Sequence, residues 1–137
     1  MKVLVDTTVW SLALRRKEPS EIALKLTEMI KGLLVVMIGP VRQELLSGIS
    51  GEMVFDNLKS KLRAFDDMTI TTRDYETAAD YNNICRKNGI QGSHIDFLIC
   101  AVACNNDLLI FTTDEDFKHY AKYLPIRLLR LDTHQYS

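Results

Sequence analysis

Residues 3–10 read Val3-Leu4-Val5-Asp6-Thr7-Thr8-Val9-Trp10. Three apolar residues, two of them β-branched, run without interruption into an aspartate. Such a run predicts a short strand buried on both faces. A helix pattern follows from Thr8 to Lys17 and ends before Pro19. In open α/β sheets, chemistry gathers outside the carboxyl ends of the strands. Asp6 therefore stands where a functional carboxylate belongs, provided other carboxylates reach the same edge.

Outward from this stretch, strands and helices alternate. Ser20 and Glu21 open a helix with Ile22, Leu26, Met29 and Ile30 on one face, and Gly32 is expected to stop it. Leu33 to Ile38 is an apolar run of strand length. Gly39-Pro40 ends it and starts a helix carrying Arg42, Glu44, Leu45 and Leu46. Gly51 to Phe65 is helical, and Met68 to Thr71 is a short strand candidate. Arg73 to Lys87 reads as a helix with Tyr75, Ala78, Ala79 and Ile84 inward, closed by Asn88-Gly89. Ser93 begins a helix to about Asn105 that is apolar nearly all round and so belongs in the interior. Leu108 to Thr112 is a buried strand, Asp114 to Tyr123 a short helix broken by Pro125, and Ile126 to Leu131 a last strand. The alternation predicts a three-layer α/β/α fold with a mostly parallel sheet of about 4–5 strands.

The 137 residues suit one domain over the whole chain, 1–137. A net charge of −1 is not that of a protein that coats nucleic acid non-specifically. Arg15, Arg16, Lys17, Arg42, Arg86 and Lys87 are left as candidates for a local basic patch. The longest apolar run, Phe97 to Cys104, is too short to span a bilayer. The N-terminal apolar stretch is broken at Asp6, unlike a signal peptide, so the expected location is the cytoplasm. Cys85, Cys100 and Cys104 are odd in number and lie in apolar surroundings, which favours buried thiols over a disulfide framework.

Three carboxylates recur at one kind of position, and a fourth joins them from a helix start. Asp6 follows the first strand, Glu44 the second, and Asp114 the strand ending at Thr112. Asp96 opens the most apolar helix, three residues after Ser93. Each has a structural reading: Asp6 as an N-cap, Glu44 as a charge near a helix N-terminus, Asp96 with Ser93 and Asp116 with Thr113 as capping pairs. Together they would crowd one edge, where like charges repel and raise one another's pKa. A hard divalent cation, Mg²⁺ or Mn²⁺, suits such oxygen-only ligation and can activate water for attack at phosphorus. No glycine-elbow serine or phosphate-cradling loop competes.

The ordered set Val-Asp-Thr-Thr-Val-Trp, Pro-Val-Arg-Gln-Glu-Leu-Leu, His-Ile-Asp-Phe-Leu-Ile-Cys-Ala and Thr-Thr-Asp-Glu-Asp-Phe resembles the PIN domain, and within it the VapC-type toxins of toxin–antitoxin pairs. The resemblance covers the whole chain. It implies that Asp6, Glu44, Asp96 and Asp114 are the acidic site residues, with Thr112 a supporting hydroxyl and Asp116 a further acidic position. It implies metal-dependent hydrolysis of RNA by Mg²⁺ or Mn²⁺, a VapB-type antitoxin partner and a homodimer. Thr7, Arg15, Arg42 and His94 are expected near substrate. Trp10 and Leu14 share a helix face, either as core or as a groove for the antitoxin. Tyr75, Tyr120 and Tyr123 are expected to pack rather than stack on bases.

Other readings fit less well. A haloacid-dehalogenase-type phosphotransferase wants a second Asp where Thr8 stands, and a receiver domain wants a late Lys after a strand. A non-toxin PIN nuclease, or a catalytically weak RNA-binding or scaffold PIN module, is the alternative within the family. The four intact acids argue against the degenerate form.

Overall fold

The computed structural model describes residues 1–15 and 20–131, with Arg15 described in its backbone alone. A parallel sheet lies at the centre. Strand β1 is Val3–Val5, β2 is Val35–Val36 and β3 is Leu109–Phe111, in the order β2-β1-β3. Val3 pairs with Val35 on one side and Leu109 on the other, and Val5 pairs with Phe111. Every residue of β1 is buried, as its apolar run demands of a strand covered on both faces.

The sheet is narrower than its apolar runs suggest. Among the described residues three strands form, and each flank adds a single bridge, Met37 with Asp67 and Ile110 with Leu128. Both reductions have local causes. Thr71 leaves the edge to cap the next helix, accepting the Asp74 N–H at 3.2 Å and donating its own N–H to the Asp74 carboxylate at 2.9 Å. On the far flank Ile110 bonds to Arg127 and Leu129, while Pro125 brings no N–H to the start of that segment.

The helices are α1 Thr7–Arg15, α2 Glu21–Lys31, α3 Gly39–Leu46, α4 Glu52–Leu62, α5 Thr72–Lys87, α6 His94–Asn105 and α7 Asp116–Tyr120. Helix α6 packs against β1 and β3 and along α5, while α1 packs on α2 and α3. Residues Phe97 to Ala103 of α6 are all buried. At about 1.5–3 kcal/mol for each large apolar side chain, this is the anchor of the fold. Its N-terminus, with Asp96, is thereby held at one end of the sheet.

Gly32 is the C-cap of α2, as expected, and the left-handed residue beyond it is Leu33, at φ 58°, where the Leu34 N–H returns to the Met29 carbonyl at 3.0 Å. Helix α5 buries Asp74, Tyr81 and Cys85, whereas Tyr75 and Ala79 are exposed. The inward stripe starts with a charge, and a search for apolar periodicity skips it. Asp74 tolerates burial because the Thr71 N–H and the Asn105 amide (2.8 Å) satisfy it. Of the thiols, Cys85 and Cys100 are buried, and Cys104 is half-buried with its Sγ donating to the Pro125 carbonyl. No helix among the described residues is long and apolar enough to cross a membrane.

Candidate active site

β2 and β3 flank β1 on opposite sides, so the connections leaving β1 and β3 diverge and leave a crevice at their carboxyl ends. Asp6 extends the ladder by one bond, its N–H donating to the Phe111 carbonyl at 2.9 Å. Its own carbonyl accepts the Trp10 N–H at 3.3 Å, which puts Asp6 at the N-cap position of α1. The carboxylate does not make the usual cap bond to the second or third helical residue. Oδ1 accepts the Thr7 N–H at 2.8 Å, and Oδ2 accepts the hydroxyls of Thr8 at 2.9 Å and Thr112 at 2.7 Å. Asp6 is 4% exposed, and these three donors offset the cost of burying its carboxyl group.

The two threonines tie the loops together. Thr112 Oγ1 accepts the Asp114 N–H at 3.0 Å, and Thr8 Oγ1 accepts the Thr113 N–H at 3.1 Å. Thr112 thus links Asp6 to Asp114. Thr8, in the first turn of α1, has the matching position on the β1 side, and nothing in its sequence context separates it from Thr7; only the pairing of β1 with β3 reveals it. Thr7 faces the crevice, and its buried hydroxyl has no partner among the described residues.

Asp96 comes from the N-terminus of α6. Ser93 caps that helix by accepting the Asp96 N–H at 3.0 Å. The return bond of a capping box, from the Ser93 N–H to the Asp96 carboxylate, is not formed. Oδ2 of Asp96 instead accepts the Tyr120 hydroxyl at 2.7 Å. Burial pushes the Asp96 carboxyl above the ordinary carboxylate range, and the nearby charges of Asp6 and Asp114 add to it, against the Tyr120 hydrogen bond and the neighbouring Ser93 hydroxyl. Asp114 accepts the Asp116 N–H on Oδ1 at 2.9 Å. That turn starts α7, so the capping pair expected of Thr113 and Asp116 does not form. Glu44 lies beyond the first turn of α3, is exposed and has no ion pair among the described residues.

Asp6, Thr7, Thr8, Ser11, Leu12, Glu44, Asp96, Thr113 and Asp114 line one open cleft of about 500 Å³. Among the described residues, no three His, Cys, Asp or Glu side chains converge into a ready metal cage. The donor chemistry nevertheless suits a hard cation. The acids offer oxygen only, and Oδ1 of Asp96 and Oδ2 of Asp114 carry no hydrogen bond among the described residues. The mutual repulsion felt at Asp96 is what a cation between the carboxylates would relieve.

The sequence matches the PIN domain family over residues 3–123. This chain belongs to the PIN-domain family. PIN domains are nucleases. No curated protein matches the chain by sequence. Among solved structures, FitAcB from Neisseria gonorrhoeae is similar with a TM-score of 0.76 at 18% identity, covering 93% of this chain and 96% of the other. VapBC2 from Rickettsia felis, bound to a DNA fragment from their promoter, gives 0.79 at 15% identity over 96% and 100%. DNA-bound VapBC from Salmonella typhimurium gives 0.74 at 14% identity over 94% and 97%. At these identities the likeness is one of fold.

Not every residue expected at the site of this PIN domain arrives there. Arg42 points its guanidinium at α4: Nε donates to Asp67 Oδ1 at 3.0 Å, Nη1 to the Leu62 carbonyl at 3.0 Å, and Nη2 to the Phe65 carbonyl. It closes the C-terminus of α4 and lies outside the cleft lining, so the expected phosphate contact is replaced by a structural one. Asp116 is exposed and also outside the cleft lining, because its backbone rather than its carboxylate is turned to Asp114. His94 is exposed at the start of α6 and faces a neighbouring groove that meets the cleft at Glu44. The side chain of Arg15, and Arg16 and Lys17 entirely, lie outside the described residues. Trp10 is core, 5.1 Å from the Phe65 ring centroid, while Leu14 is exposed. Tyr75 and Tyr123 are exposed rather than packed, and Tyr120 is fully buried.

Proposed function

We propose that this PIN domain is a metal-dependent endoribonuclease and the toxin of a toxin–antitoxin pair. The observation that supports the reading best is the meeting of Asp6, Glu44, Asp96 and Asp114 on one cleft at the carboxyl edge of the sheet. In this reading Asp6, Asp96 and Asp114 hold Mg²⁺ or Mn²⁺, and Glu44 holds a second ion or orients the attacking water. A cation held there supplies positive charge to the phosphodiester and eases ionisation of a water.

The protein's own part is positional. Thr8 and Thr112 fix Asp6 by bonding one oxygen, and Thr112 sets the backbone of Asp114 from the same hydroxyl. Glu44 is unpaired by any cation among the described residues and is the group available to orient a water at the rim. Water displaces the 3′ oxygen at phosphorus, leaving a 5′ phosphate and a 3′ hydroxyl without the 2′-OH as nucleophile. The structures of the similar VapBC2 and FitAB each hold a bound DNA fragment. For this chain we extend that likeness to a VapB-type antitoxin as partner, and to a homodimer. The test is the chemistry of the cut ends: 5′ phosphates on RNA fragments are expected, and 2′,3′-cyclic phosphates would contradict the mechanism.

A further inference from the structure

We propose that Tyr120 is a positioning residue for Asp96, and that position 92 is glycine in order to leave room for it. The proposal rests on the metal-site reading of the cleft and goes beyond it. Tyr120 lies on α7 and Asp96 on α6, and only the fold brings them together. The tyrosine ring is completely buried, 5.0 Å from the Phe97 centroid and 5.2 Å from that of Phe117. A ring so enclosed has no freedom to swing, and its hydroxyl is aimed at one place. That place is Asp96 Oδ2, at 2.7 Å, short enough for the strong bond a carboxylate receives.

A bond to one oxygen fixes the orientation of the whole carboxylate. Oδ1 of Asp96 is then the oxygen left without a hydrogen bond among the described residues, on a side chain that lines the acidic cleft. Gly92 supplies an independent observation. A Cβ there would lie 2.4 Å from the Tyr120 hydroxyl, 2.8 Å from its Cζ and 2.9 Å from Phe97 Cε2. The backbone at Gly92 is not in the left-handed region. Space, not conformation, excludes a side chain there. The chain therefore keeps open the spot where a buried phenol reaches a cleft carboxylate. Phenylalanine would fill the same aromatic cluster without a buried hydroxyl to satisfy.

The test is calorimetric titration of the metal-free protein with Mn²⁺, using wild type, Tyr120→Phe, Asp96→Asn and Tyr120→Phe combined with Asp96→Asn. Tyr120→Phe keeps the ring and is expected to melt cooperatively in EDTA. Partners that orient metal ligands typically change affinity by 10–100-fold when removed, so Tyr120→Phe should weaken Mn²⁺ binding about 10-fold or more. It should weaken binding no further once Asp96 is Asn, because it acts through that residue. Gly92→Ala should weaken Mn²⁺ binding in wild type and do so less in the Tyr120→Phe background, where no hydroxyl remains to be pushed off Asp96. A Tyr120→Phe protein that melts lower but binds Mn²⁺ like wild type overturns the positioning role and leaves the cleft reading intact. Wild type that binds no Mn²⁺ overturns the cleft reading and the proposal with it.

Discussion

Thr112→Val removes one hydroxyl and leaves the shape of the side chain nearly unchanged. The structure gives that hydroxyl one bond donated to Asp6 Oδ2 at 2.7 Å, one accepted from the Asp114 N–H at 3.0 Å, and a longer contact with the Thr8 hydroxyl at 3.3 Å. A hydrogen bond to a charged group is worth about 1.5–3 kcal/mol, and a neutral one about 1 kcal/mol. Asp6 is almost wholly buried, so water does not replace the lost donor. The expected loss is about 2–4 kcal/mol, which in a chain of this size lowers the melting temperature by roughly 6–15 °C. The assay is thermal and urea unfolding in EDTA, with Thr113→Val as control. Thr113 is exposed and contributes only its backbone N–H to the network, which valine keeps. That control should stay within about 0.5 kcal/mol of wild type. Thr8→Val should be less than additive with Thr112→Val, since both hydroxyls serve the same oxygen. A Thr112→Val protein as stable as Thr113→Val would refute the claim that this hydroxyl holds the two acidic loops together.

Two further perturbations separate site from scaffold. Asp96→Asn keeps the Ser93 cap, which uses the backbone N–H of residue 96, and keeps an acceptor for Tyr120. Burial raises the Asp96 carboxyl in the folded state, with Asp6 and Asp114 adding to it. The destabilisation is therefore fully present above the folded pKa and is relieved as pH falls through it. In EDTA near neutral pH, Asp96→Asn should therefore be the more stable protein. Its advantage should shrink in acid melts, and a clear loss of stability at neutral pH would mean the carboxylate is a structural cap. Arg42→Ala should destabilise by about 1–3 kcal/mol by freeing the end of α4. It should leave the salt dependence of RNA binding unchanged, whereas a shallower slope would return Arg42 to the phosphate contacts.

What the sequence exposes follows from which forces are periodic. The uninterrupted run at 3–5 and the all-round apolar helix at 94–105 are signatures of double-sided burial, and both elements form where they were read. Asp6, Glu44 and Asp114 are legible together because parallel topology sends every strand end to one edge, and Asp96 joins them from the N-terminus of α6. Long-range polar bonds leave no such trace. Tyr120 looks like any aromatic on a short helix until α7 is folded against α6. Arg42 looks like a surface cation until the end of α4 arrives beside it. Asp74 sits on an inward stripe that apolar counting cannot see, because its burial is made tolerable by Thr71 and Asn105. The runs at 68–71 and 126–131 do not form full strands for a related reason: β-branched and apolar runs report burial, and Thr71 gives its bonds to a helix cap instead.

The central claim is that the acidic cleft is a metal-dependent nuclease site. Its most direct test is cleavage of cellular RNA by purified wild type and Asp6→Asn, each with Mg²⁺, Mn²⁺ or EDTA. The expected result is discrete cleavage by wild type with metal only, and none by Asp6→Asn under any condition. Cleavage that persists in EDTA, or that Asp6→Asn performs as well as wild type, would contradict it.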